Sequence, residues 1–368
     1  MRPITKPYAH RMGAALICFA LVLSTLLTAC SASVGTTPSP ASSAAGAEAY
    51  TLFVVNEDED SLSVVDVAQG KVTATVDVGK FPHNATFGPD GGKLYVTSGE
   101  SGELTVVDVS ALSVQARIPV GKDPQDVAIA PKGDLAYVSN YDSNELTVVD
   151  LRQQKVVRSM PVGEAPQAVV VSPDGETIYV VSLRQGQVWA VGSSLSNVRK
   201  FDAGQGPAGL AVTPDGKRLF VGGHGKMGGM GGMSGQGGHA MSSPSASAAD
   251  SRNRDVRVMD AASGSQLGLV TCGIMPIVIA ISPDGSRVFV VSHGSNEVTV
   301  IDAASLKPMA TLAVGKNPSG IALSSDGRRA FVTNKDSNDV SVIDAVGLKV
   351  MATIPVGKAP RGIAVKAR

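Results

Sequence analysis

From about residue 50 to the C-terminus, apolar residues come in short runs of five to seven, rich in Val, Ile and Thr and separated by turn formers. Nothing in that region keeps an apolar residue every three or four positions, so helices are not expected there. Runs of this length and composition read as strands. One unit shows the pattern: apolar runs at 125–130, 135–140, 146–150 and 156–162, with Pro131-Lys132-Gly133 between the first two. We name these four runs A to D. Equivalent A–B turns follow at Pro89-Asp90-Gly91, Pro173-Asp174-Gly175, Pro214-Asp215-Gly216, Pro283-Asp284-Gly285 and Ser325-Asp326-Gly327. Proline fixes one backbone angle in such a turn, and glycine accepts the positive φ that a tight hairpin needs.

The unit repeats. A Val-Gly pair or a close variant closes a segment at Gly79, Gly121, Gly163, Gly204, Gly273, Gly315 and Gly357, at spacings of 42, 42, 41, 69, 42 and 42 residues. The long interval is one unit carrying 27 extra residues. Four-stranded units of about 40 residues predict blades arranged radially. The chain ends say how the ring closes. Residues 361–365 are an A run with no B after it, and 52–79 are B, C and D with no A before them. The expectation is an all-β, seven-bladed β-propeller of four-stranded antiparallel blades, closed by a composite blade made from both termini. It spans residues 50–368, with a glycine-rich insertion at about 224–252.

The strands Tyr137-Val138-Ser139-Asn140 and Phe331-Val332-Thr333-Asn334, with Val342-Ile343-Asp344 and the recurring Val-Gly-Lys-x-Pro, resemble the YVTN repeat of bacterial and archaeal β-propellers. The resemblance covers residues 50–368. It implies an exported or surface protein and a scaffold shared by many activities, so function has to be argued from the site.

The N-terminus adds a compartment. Arg2, Lys6 and Arg11 precede an apolar run at 12–29, with no acidic residue before position 30. That charge order and length predict a secretory signal over 1–29. Its end, Leu27-Thr28-Ala29-Cys30, resembles a bacterial lipobox, which implies lipid on Cys30 and attachment to the cell envelope; a plain membrane anchor is the alternative. Residues 31–48 are rich in Ser, Ala, Thr and Pro, so 30–49 read as a flexible tether. The chain has 32 basic and 32 acidic residues, and removal of the signal leaves 29 against 32. Nucleic acid is therefore not an expected partner. The membrane, through the lipid, is one; a protein or small ligand on one face is another. Of three cysteines, Cys272 alone remains once Cys18 and Cys30 are assigned to the leader, so no internal disulfide is expected.

Function is expected where the repeats disagree. B–C loops and D–A crossovers share one face, here called the top. The residue after each crossover proline is His83, Gln125, Gln167, Ala208, Ile277, Ser319 or Arg361, and the next offers Asn84 and Asp126 on neighbouring blades. These positions border the central channel, which makes His83, Asn84, Gln125, Asp126, Gln167 and Arg361 candidates for holding a ligand. Lysines in four crossovers (Lys80, Lys122, Lys316, Lys358) add positive charge, countered by Asp58, Asp142 and Asp336. The insertion is the larger disagreement. It carries His224, Met227, Met230, Met233, His239 and Met241 among glycines, and thioethers with imidazole select Cu(I). His293 stands in the next blade where His224 stands in its own, and Cys272 and Met275 lie on the crossover between them. A low-complexity insertion, or methionines that absorb oxidant, are the competing readings.

No catalytic residues are assigned. A calcium-dependent lactonase needs several carboxylates in the channel, no Gly-x-Ser-x-Gly turn is present, and no Cys-x-x-Cys-His run offers covalent haem attachment. A binding or scaffold propeller, with Cu(I) on its insertion or without metal, is the first reading. A lactonase-like or quinone- or haem-dependent oxidoreductase is the second, and a structural envelope protein the third. Replacing Cys30 by alanine is expected to abolish metabolic labelling by palmitate and to release the protein into the soluble fraction. A mutant that still sediments with membranes defeats the lipobox reading.

Overall fold

The computed structural model describes residues 50–225 and 253–368. Those residues form seven four-stranded antiparallel sheets, each one blade. Six blades follow the chain in the order A, B, C, D: blade one runs from Pro82–Phe87 to Ser113–Pro119, and blade six from Pro318–Leu323 to Lys349–Pro355. Blade seven is composite. Its A strand is Pro360–Ala367 from the C-terminus, and its B, C and D strands are Tyr50–Asn56, Ser61–Asp66 and Lys71–Asp77. The register pairs Tyr50 with Ala367, Phe53 with Ala364 and Val54 with Ile363, and then a bulge brings Asn56 opposite Pro360. The expected seven-bladed architecture and its closure by both ends are what the structure shows.

Burial explains why the blades need each other. Strands B and C alternate between two buried faces, so each sheet is apolar on both sides, whereas the D strands are mostly exposed. Among the described residues seven core clusters are each shared by two neighbouring blades, and a smaller eighth joins Ala165, Leu183 and Ala208. Phe53, Leu62 and Val64 of blade seven pack on Leu94 and Val96 of blade one, and Tyr50, Leu52 and Val65 pack on Phe331 and Val340 of blade six. A blade with one neighbour would leave half its apolar surface wet, so burial drives the ring to close.

An aspartate closes the C strand in most blades (Asp108, Asp150, Asp302 and Asp344 among them) and bonds the turn that follows. Asp150 Oδ1 accepts the main-chain N–H of Arg152 and Gln153 at 2.9 and 2.8 Å, and Asp108 does the same for Ser110 and Ala111. Among the described residues no helix is long and apolar enough to cross a membrane. The leader with Cys30, and the tether, lie outside the described residues.

Deleting residues 361–368 removes the inner strand of blade seven and bares its partner. Exposing that apolar surface should cost several kcal/mol, on the scale of a whole domain's stability of about 5–15 kcal/mol. Thermal unfolding of the truncated chain is expected to lose its cooperative transition; an unchanged melting temperature would contradict this closure.

Candidate functional site

Two rings of side chains border the top of the channel. The inner-strand ring follows each crossover proline: His83, Gln125, Gln167, Ala208, Ile277, Ser319 and Arg361. The second ring is the residue that follows each B strand: Glu57, Gly99, Tyr141, Leu183, His224, His293 and Lys335. Register brings the rings together, because B strands end and A strands begin on the same face. Only His224 and His293 of the second ring stand out in the sequence. Glu57, Tyr141 and Lys335 occupy the equivalent position in other blades, so extending that blade-to-blade comparison to all seven repeats would have found them.

One arc of the mouth is a buried charge network. Glu57 is 1% exposed, and its Oε1 accepts from Arg361 Nη1 at 2.7 Å and lies 3.2 Å from His83 Nδ1. Lys335 Nζ pairs with the other oxygen, and Arg361 also contacts His83. On its far side His83 Nε2 sits 2.9 Å from Asp123 Oδ1. Gln125 donates to the same oxygen at 2.8 Å and accepts from Arg361 Nη2 at 2.8 Å. The network thus links blades six, seven, one and two. Burial alone would raise the Glu57 carboxyl, but the His83 hydrogen bond and the Arg361 and Lys335 charges hold it well below the carboxylate range. Asp123 behaves alike: burial raises it, and His83 and Arg361 outweigh that and lower it.

Asn84 and Asp126 come together on adjacent inner strands, where Asn84 Nδ2 donates to Asp126 Oδ1. Asp126 also accepts the N–H of Val127 and of Val169 at 2.8 and 2.9 Å, so it staples blades one, two and three. Burial nevertheless pushes its carboxyl above the ordinary value. Gln167 is half-buried, and its carbonyl takes a hydrogen bond from Ser139. Both nitrogens of His83 are engaged, which makes it a poor ligand for anything else.

The opposite arc is apolar. Leu183, Ala208 and Ala165 are buried together, with Tyr141 and Ile277 against them. His224 and His293 stand between the two arcs on blades four and five. Burial, then the neighbouring His293 and Arg361, push His224 down to about 4. Burial also lowers His293, against a 3.3 Å contact of its Nδ1 with the Pro318 carbonyl. Both imidazoles are neutral at pH 7, the form that ligates metal. Arg361 belongs to blade seven, yet its charge acts on Asp126 of blade two, His224 of blade four and His293 of blade five.

The other sequence candidates separate. Met227, Met230, Met233, His239 and Met241 lie outside the described residues. Cys272 is not with the histidines but packs on the core between blades four and five, and burial pushes its thiol up to about 12. In the repeat it takes the place of Val78, Val120 and Val314, which explains an apolar role for a thiol. Met275 occupies the left-handed crossover position (φ 56°) that Asp123 fills beside His83, and its carbonyl accepts the His293 N–H at 3.1 Å. Among the described residues no three His, Cys, Asp or Glu side chains gather as a metal site.

The buried carboxylate gives a pH-dependent test. Glu57 has its carboxyl lowered by folding, so between the unfolded value of 4.5 and the lower folded one the unfolded chain binds the extra proton. Its contribution is complete above that range and is lost as pH falls. Glu57→Gln leaves Arg361 and Lys335 without a counter-charge and should cost about 3–5 kcal/mol at pH 7. The gap between wild type and mutant should narrow by about 1.4 kcal/mol per pH unit below 4.5. Denaturant titrations at pH 7 and pH 3.5 measure it; a gap that does not change with pH refutes the assignment.

The family model described as the cytochrome D1 heme domain matches residues 47–227 and 242–364. No functionally curated protein matches the chain in sequence. Among solved structures, Kuenenia stuttgartiensis hydrazine synthase is similar at a TM-score of 0.64 and 21% identity, over 78% of this chain and 95% of that one. The dihydro-heme d1 dehydrogenase NirN, solved in complex with DHE, is similar at 0.58 and 18%, over 85% of this chain and 74% of its own. A putative 6-phosphogluconolactonase of Bacteroides fragilis is similar at 0.68 and 14%, over 87% and 98%. At these identities the structural likenesses establish the propeller fold alone. The propeller expected from the YVTN-like repeats is present, but the YVTN-repeat family itself is not confirmed; the family model covers most of the chain, and the chain belongs to the cytochrome D1 heme domain family.

Proposed function

We propose that the top mouth of the channel binds a haem-type tetrapyrrole, of the heme d1 class that the family's name points to. The observation that carries this reading is the pair of neutral imidazoles, His224 and His293, set between an apolar arc and a cationic one. A tetrapyrrole asks for these features: a flat apolar body, acidic substituents on its edge and an axial nitrogen for its iron. Leu183, Ala208, Ile277 and Tyr141 suit the body. Arg361 and Lys335, whose side chains are 30% and 26% exposed, remain open to an acidic substituent while paired with Glu57. His224 or His293 would hold the iron, and the Pro318 carbonyl fixes the tautomer of His293 by accepting from Nδ1, which leaves Nε2 as its ligating atom. When bound, the group supplies a redox-active, ligand-accepting metal centre.

The chain's own residues bind, orient and hold charge. Glu57 keeps Arg361 and Lys335 in place, and His83, clamped between Glu57 and Asp123, fixes the wall of the mouth. A tetrapyrrole that is not covalently attached would need no Cys-x-x-Cys-His motif, so the lack of that motif does not count against the reading. Export to the cell envelope and lipid on Cys30 remain part of the proposal, supported by the N-terminal charge order and the Leu27-Thr28-Ala29-Cys30 run. Cu(I) capture by the methionine-rich insertion is the weaker proposal, because Cys272 packs on the core between blades four and five and burial keeps its thiol protonated.

Titrating the full chain with heme d1, with haem b as comparison, is expected to give a saturable 1:1 change in the Soret band. His224→Ala with His293→Ala should abolish the spectral signature of a nitrogen-ligated iron while leaving the melting temperature of the ligand-free protein within a few degrees. If neither tetrapyrrole alters its spectrum with the protein, the reading fails.

A further inference from the structure

Six of the seven junctions between blades share one packing unit, and the seventh breaks it. A crossover glycine lies against the residue that ends strand B of the next blade. A Cβ on Gly121 would meet Asn140, on Gly163 Ser182, on Gly315 Asn334 and on Gly357 Asn56. Where that residue is asparagine it bonds the third residue of strand C, as Asn140 Nδ2 does to Thr147 Oγ1 and Asn334 Nδ2 to Ser341 Oγ, both at 2.9 Å. At the junction of blades three and four, strand B ends in Gly223 and the third residue of strand C is Arg257. Glycine is required at 223, since a Cβ there would collide with the Gly206 carbonyl. The side chain that fills the other junctions is therefore missing here.

In its place is a cavity of about 420 Å³, lined by Gly204, Gly223, Asn253, Asp255, Arg257 and Leu269, among others. Arg257 Nη1 donates to Gln266 Oε1 at 2.6 Å and faces the exposed Asp202 carboxylate at 3.8 Å. Its Nη2 lies 3.0 Å from the point a Cβ on Gly204 would occupy, and no acceptor meets it among the described residues. Asp255 is held at the lining by Thr271 Oγ1, which donates to it at 2.7 Å.

We propose that this junction binds a small organic monocarboxylate, independently of the channel mouth. The free edge of the guanidinium offers the planar fork that carboxylate oxygens fit. Size decides against a bare inorganic anion: a water takes about 30 Å³, so a simple anion would leave most of the cavity to solvent. Leu269, Val221 and Pro207 give a short carbon body something to pack on. Charge decides against a dicarboxylate, whose second group would approach Asp255 or Asp202. No other blade has both departures, since the positions equivalent to Arg257 are Ser63, Thr105, Thr147, Trp189, Thr299 and Ser341.

The test is calorimetric titration of the full chain with sodium propionate and sodium benzoate, against sodium nitrate at matched ionic strength. One carboxylate per chain is expected to bind saturably, and nitrate weakly. Arg257→Thr, which installs the residue found at this position in three other blades, should weaken binding about tenfold or more with an unchanged melting temperature. Arg257→Lys should recover only part of the affinity, because lysine keeps the charge without the fork. Equal binding by Arg257→Thr, nitrate matching the carboxylates, or no saturable heat with either acid overturns the proposal.

Discussion

Every blade of this protein is apolar on both faces, and that one constraint organises the rest. A sheet of this kind is stable only with a neighbour on each side, and seven such sheets satisfy one another only in a closed ring. Closure brings the first and last parts of the chain together, and here one blade is assembled from both. Blade seven meets that need by pairing Tyr50–Asn56 with Pro360–Ala367. The Glu57–Arg361 pair lies at the top of the same seam, so the junction between first and last strands is held by hydrogen bonds, packing and a buried ion pair together.

That coincidence of seam and site shapes the chemistry of the mouth. The charged arc spans blades six, seven, one and two, where closure has to be held, and the apolar arc spans the blades farthest from it. Low exposure makes the interactions of Glu57 strong, and the same low exposure would make Arg361 or Lys335 costly without it. The neutral histidines follow from the same field. Cationic side chains across the channel, added to burial, keep protons off His224 and His293 and so leave their ring nitrogens as bases.

The fold was legible because it is written seven times. Turn glycines, alternating strands and a fixed period each point to the same unit, and errors in one repeat are corrected by the others. The site was legible only in part. His83, Gln125 and Arg361 were found because their position follows a proline that marks the register. Glu57 and Lys335 were missed because acidic and basic residues in a B–C loop look like solvated charge until the blades are superposed, and burial is not written in a single repeat. Cys272 misled for the opposite reason. A thiol near histidines on the chain suggests a ligand, but side chains alternate across a strand end, and this one faces the core. The proposed tetrapyrrole, held without covalent attachment, would leave no linear motif, and a signal for it would lie in the ring of positions rather than in any stretch of sequence.

The direction of the B strands carries a consequence for orientation. Tyr50 begins its strand on the face of the A–B turns, and Glu57 follows its end on the face of the channel mouth. Ala367, paired with Tyr50, returns to that same lower face. Both ends of the disc therefore work as a handle on one side, and the opening lies on the other. The first and last strands of the ring leave from the side away from the residues that border the channel mouth.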